Sequence, residues 1–112
     1  MRTARLFAPL LLAFLLSAQT LIVVPAEITC DSAAHAVSTS GLALWVQLIA
    51  PSTNSAVVRF GDSSVSATRG FPIAAGGGYN TPVVSQGSPR YDLTKLFYYC
   101  TTGDKVDIGW AK

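Results

Sequence analysis

Leu42-Ala43-Leu44-Trp45-Val46-Gln47-Leu48-Ile49-Ala50 decides the fold class of this chain. Successive side chains of an extended strand point to opposite faces, so Leu42, Leu44, Val46 and Leu48 share one face. Ala43, Trp45, Gln47 and Ile49 share the other. Both faces are largely apolar, which predicts a strand covered on both sides. Pro51-Ser52-Thr53-Asn54-Ser55 is a turn cluster, and residues 56–60 return as a partner strand. The pair reads as a hairpin.

The same pattern extends outward. Residues 28–37 alternate loosely as a first strand. Residues 61–82 are loop-rich, with Gly61, Gly70, Pro72, Gly76-Gly77-Gly78 and Pro82. The three glycines suit a turn with positive φ or a flexible crossing, and no Lys-Ser/Thr follows them as a phosphate loop requires. Val83-Val84 reads as a short strand. In residues 96–100, Leu96, Tyr98 and Cys100 share a face. Thr101-Thr102-Gly103-Asp104 forms a tight turn, and residues 105–110 then place Val106, Ile108 and Trp110 inward and Lys105 and Asp107 outward. About six strands with no helical period predict an all-β fold: a small antiparallel β-sandwich or jelly-roll-like barrel.

Residues 1–26 have a different character and precede the predicted domain, residues 27–112. Arg2 and Arg5 lead into an uncharged apolar run, residues 6–24, which is expected to form an N-terminal helix or leader. Three origins fit it. It has the charged and apolar regions of a signal peptide, with Val24-Pro25-Ala26 as the cleavage site. Its length also suits a membrane anchor, with the positive end inside and the β domain outside. Alternatively, the start is mis-assigned and translation begins at Val23 or Val24, since Met1 is the only methionine.

The net charge of +2 comes from the leader. Beyond Ala26, six basic residues face six acidic ones with no basic run. Nucleic acid binding through phosphates needs clustered Lys and Arg, so it is not expected here.

The chain carries several chemically suggestive pieces, each with a plainer reading. Phe60-Gly61-Asp62-Ser63-Ser64 resembles the nucleophile block of GDSL-type esterases, but that chemistry needs a histidine base downstream. The only histidine, His35, lies upstream, so the block reads as a turn ending a strand. His35 has no second ligand at metal spacing. Asp62, Asp92, Asp104 and Asp107 would have to converge in pairs to act as a glycosidase does, yet each falls where a turn or an outer strand face places it. Tyr79, Tyr91, Phe97, Tyr98, Tyr99 and Trp45 suit strand packing more often than a sugar platform. No catalytic residue, cofactor site or metal site is therefore assigned. Cys30 and Cys100 both fall on inward faces. In an exported chain they can pair, closing a loop worth about 4 kcal/mol on the chain-entropy model. In a cytosolic chain they are two small buried hydrophobes.

Three stretches carry a resemblance: Val57-Val58-Arg59-Phe60-Gly61-Asp62-Ser63; Val65-Ser66-Ala67-Thr68-Arg69-Gly70-Phe71-Pro72-Ile73-Ala74; and Tyr91-Asp92-Leu93-Thr94-Lys95-Leu96-Phe97-Tyr98 with Thr102-Gly103-Asp104-Lys105-Val106-Asp107-Ile108. A strand ends in Gly-Asp-Ser, a loop reaches Gly-x-Pro-Ile-Ala, and an Asp-Leu strand opens the final hairpin. In that order they resemble the small β-sandwich virion proteins of tailed bacteriophages, the head-decoration and tail-fibre-associated modules. The resemblance implies a non-enzymatic structural module located in a virion, with other virion proteins or further copies of itself as partners. The alternative is an exported or membrane-anchored β-sandwich that binds a carbohydrate or a surface partner. Membrane contact is expected only if residues 6–24 are retained.

Overall fold

In the computed structural model, residues 21–85 and 87–112 are described. The expected leader helix lies outside them except for its last residues. Short runs of β-branched and aromatic residues, punctuated by Gly, Pro, Asp and Asn, yield eleven strands among the described residues rather than about six. They are β1 (Ile22–Val23), β2 (Ile28–Thr29), β3 (His35–Ala36), β4 (Leu42–Ala43), β5 (Trp45–Ile49) and β6 (Val58–Gly61). The rest are β7 (Phe71–Ile73), β8 (Gly78–Asn80), β9 (Tyr91–Asp92), β10 (Phe97–Tyr99) and β11 (Lys105–Ala111). All pairings are antiparallel, and the described residues contain no helix.

The larger sheet runs β1-β11-β5-β8, with β2 also on β11, and the second runs β3-β10-β6-β7. A two-stranded ladder joins β4 to β9. The long strand β11 is the spine of the larger sheet: Asp107 to Ala111 pair in unbroken register with Ile49 to Trp45. On its other edge, Val23 opposes Trp110 and Ile28 opposes Val106. Residues 24–27 thus span what residues 107–109 span on β11. No ladder pairing joins residues 24–27 to β11, and Pro25 has no N–H to give one.

Side chains from both main sheets meet in one buried cluster. Val46, Leu48, Val106, Ile108 and Trp110 come from the larger sheet; Val58, Phe60, Ile73 and Tyr98 come from the second; Leu93 and the two cysteines fill between. Burying a side chain such as Leu48 contributes roughly 1.5–3 kcal/mol. The inward set expected for the last strand, Val106, Ile108 and Trp110, is buried as predicted.

Four local expectations change. Residues 42–50 are two strands, not one: the chain bends at Leu44, so Leu42 pairs with Asp92 and is left exposed while Val46 and Leu48 are buried. Residues 56–60 do not fold back onto β5. Residues 50–57 carry the chain to the second sheet, where β6 pairs with β10 and β7. The final turn likewise joins two sheets rather than closing a hairpin, because β10 pairs with β3 and β6 while β11 pairs with β1, β2 and β5. Residues 83–84 form no strand, although the Val84 N–H donates to the Leu44 carbonyl at 3.1 Å.

The glycine triplet does form a turn with positive φ. Gly76 has φ 81°, its N–H donates to the Ala50 carbonyl at 2.8 Å, and the Ala50 N–H donates to the Gly77 carbonyl at 2.9 Å. The turn is thereby fastened to the end of β5 and delivers β8 to its edge.

Candidate functional site

Cys30 and Cys100 are bonded to each other, with 5.3 Å between their Cα atoms. That separation is ordinary for a disulfide. The surrounding backbone fixes both ends. Cys30 N–H donates to the Asp104 carbonyl at 2.9 Å, Gly103 N–H donates to the Cys30 carbonyl at 3.2 Å, and Ser32 N–H donates to the Cys100 carbonyl at 3.0 Å. Beside the bridge, Ser32 is the one non-glycine residue with positive φ (60°) among the described residues. Its hydroxyl accepts the Thr102 N–H at 2.8 Å and lies 2.9 Å from the Thr102 hydroxyl. This conformation is costly for a side chain with Cβ, and the contacts to Thr102 hold it.

His35 opens β3 a few residues away. Its Nε2 meets both carboxylate oxygens of Asp31 at 2.8 Å, and its ring centre stands 5.9 Å from that of Tyr98. The hydrogen bond from His35 is the main reason the Asp31 carboxyl titrates below its ordinary value. Burial, with a smaller push from Asp31, raises the Tyr98 phenol. Asp31, Ser32 and His35 bring the residue types of a hydrolytic triad close in sequence, but no hydrogen bond joins Ser32 to His35. The ring nitrogen points to Asp31, and the Ser32 hydroxyl is engaged with Thr102.

The Gly-Asp-Ser block is a turn at the end of β6. Asp62 Oδ1 accepts the Ser64 N–H at 2.9 Å and the Ser64 hydroxyl. These two bonds, the hydroxyl first, hold its carboxyl below the usual value. Ser63 is exposed and His35 is bonded to Asp31 two strands away, in the order β3-β10-β6. Asp92 repeats the device, taking the Thr94 hydroxyl at 2.7 Å and its N–H at 3.0 Å. Asp104 takes the N–H groups of Ser55 and Ala56 at 2.8 and 3.0 Å. The fourth carboxylate, Asp107, lies on the outer face of β11, opposite Ile49. Three of the four are thus committed to shaping loops.

The aromatic residues are spread over the fold. Tyr98 is buried, and Tyr79 reaches Phe60 with ring centres 5.5 Å apart. Tyr91 donates its hydroxyl to the Pro82 carbonyl at 2.8 Å. Phe97 and Tyr99 face outward from the second sheet opposite Gly61 and Arg59, and Trp45 lies on the outer face of the larger sheet. Among the described residues no group of three or more His, Cys, Asp and Glu is placed to hold a metal ion.

The feature that sequence reading missed is on the outside of the larger sheet. Ile22 and Val24 on one side and Trp45 and Ile49 on the other border a shallow, mostly apolar groove along β11, with Gly109 in its floor and Gln47 and Asp107 also lining it. Val24 is 73 %, Ile22 59 % and Ile49 39 % exposed. The alternation Trp45-Gln47-Ile49 was the available signal, but it predicted a covered face. The covering element is absent among the described residues, and the other wall comes from residues assigned to the leader. No family model, no curated protein and no solved structure matches this chain.

Proposed function

We propose that this chain is a non-enzymatic structural module of a phage-like particle. It is a small β-sandwich that attaches to neighbouring virion proteins, or to further copies of itself, through the outer face of the larger sheet. The observation that carries this reading is the exposed apolar groove along β11. Contiguous apolar surface of this kind on a small soluble domain marks a contact surface, and a glycine floor lets a partner's side chains approach the backbone. The motif order supports the same reading. Gly61-Asp62 turns the chain after β6, residues 70–73 return it as β7, and Gly103, with φ 90°, passes it from β10 to β11. The experiment is sedimentation of the purified protein over a concentration series, beside Ile49→Asp and Trp45→Ala. The wild type is expected to associate, and both variants to sediment as folded monomers. Unchanged association in the variants would place the contact elsewhere.

The Cys30–Cys100 bond favours a second reading, an exported β-sandwich binding module. Disulfides persist in oxidising surroundings, and these include secreted proteins as well as virion surfaces. Together with an apolar leader behind two arginines, the bond fits a chain that crosses a membrane before it folds. Free thiols in the native extracellular protein would remove this reading.

A further inference from the structure

Strand β1 lies upstream of the point where Val24-Pro25-Ala26 would end the leader. Ile22 and Val23 pair with Ala111 and Trp110, and the Lys112 N–H donates to the Leu21 carbonyl at 2.8 Å. Val23 packs against the core cluster that contains Trp110. Its carbonyl oxygen also lies 3.5 Å from where a Cβ on Gly109 would stand, and Val24 Cγ2 lies at 3.7 Å. A chain cut after Ala26 loses the whole strand and opens the edge of β11 beside a buried tryptophan. An open edge of that kind pairs with other chains. A start at Val23 removes half of the same strand, and one at Val24 removes all of it.

The sequence offers a cut that spares it. The leucine-rich stretch, residues 10–16, is followed at once by Ser17-Ala18-Gln19-Thr20. Ala18 and Thr20 then stand at the third and first positions before Leu21, the spacing of small residues that a leader-cleaving peptidase reads. This gives a short polar approach to the cut, whereas Ala26 leaves a long apolar one.

We propose that the leader is removed by hydrolysis of the Thr20–Leu21 peptide bond by a signal-peptidase-class endopeptidase, so that β1 remains in the mature fold. Water adds across the bond, leaving a carboxylate on Thr20 and a free amine on Leu21. The inference rests on the exported reading of the chain.

The test is expression of the full chain with its leader in an export-competent bacterium, with N-terminal sequencing and intact mass of the product. A product beginning at Leu21 is expected, and Ala18→Arg is expected to abolish it in favour of the uncut precursor. A product beginning at Glu27 overturns the site while leaving export intact. An uncut chain held in the membrane overturns the proposal in favour of an anchor. An uncut chain confined to the cytosol removes the exported reading and the proposal with it. A second measurement isolates the structural premise. Chains beginning at Leu21 and at Glu27 are compared in thermal melts, and the shorter one is expected to melt lower. Equal melting would overturn the premise that β1 belongs to the fold.

Discussion

Asp104, on the link from β10 to β11, holds Ser55, on the link from β5 to β6. Its carboxylate accepts the Ser55 N–H at 2.8 Å, the Ser55 hydroxyl at 3.0 Å and the Ala56 N–H at 3.0 Å. Next to it, the Asn54 side chain donates to the Lys105 carbonyl at 2.7 Å and accepts the Lys105 N–H at 2.8 Å. Two chain crossings between the main sheets are thus tied at one place. Asp104→Ala strands two backbone donors and is expected to lower the melting temperature by on the order of 5 °C or more. Asp104→Asn keeps an acceptor and should lose less. Equal losses in the two variants, measured by thermal denaturation at neutral pH, would argue against this role.

Acid should reveal the same group. Hydrogen bonds from the Ser55 backbone, then the Ala56 backbone and the Ser55 hydroxyl, favour the charged carboxylate and lower the Asp104 pKa. Asp31, Asp62 and Asp92 are lowered too. A carboxyl depressed in the folded state contributes stability that is complete above its unfolded value of about 4. That contribution is lost as pH falls through the folded value. Melting temperature is therefore expected to stay level from pH 7 to 5 on this account and to drop below about pH 4. The drop should be shallower in Asp104→Asn, as a pH series of melts on both proteins would show.

The Cys30–Cys100 bond closes a loop with a sequence separation of 70 residues. The chain-entropy model gives such a closure about 4 kcal/mol, a large share of the stability of a domain this small. Cys30→Ala with Cys100→Ala, or the wild type under reductant, should unfold at much lower denaturant with the same native fold. A midpoint unmoved by reduction would mean that the bond is absent or contributes nothing.

Gly70 separates a backbone requirement from a simple turn preference. Its φ is +121°, and a Cβ there would lie 3.1 Å from both the Phe60 carbonyl oxygen and Val65 Cγ1. Gly103 has φ +90° but open space around it. Gly70→Ala is expected to cost about 1–3 kcal/mol, and Gly103→Ala about 1 kcal/mol from the backbone alone. Chemical denaturation of the two variants checks the order, which the reverse ranking would contradict.

Much of the strand content was legible because side-chain alternation is local. Val106, Ile108 and Trp110 point inward as their spacing required, and the Gly76 and Gly103 turns fall where glycine marks them. What was not legible is pairing. Residues 42–50 and 56–60 look like a hairpin from sequence, yet the partners of β6 are β10 and β7, and the link that carries the chain away from β5 is held by a carboxylate some fifty positions along. The groove along β11 was hidden for a related reason. Ile22 belongs by composition to the leader and by pairing to the sheet, Val24 follows just beyond β1, and only the fold sets the two across from Trp45 and Ile49.

The central proposal is that this chain is a component of a particle. Mass spectrometry of gradient-purified particles from cultures that express it tests this most directly. The account predicts peptides from residues 27–112 that co-sediment with the particles in many copies per particle. Finding those peptides only in the particle-free fraction, on a monomeric protein, would contradict it.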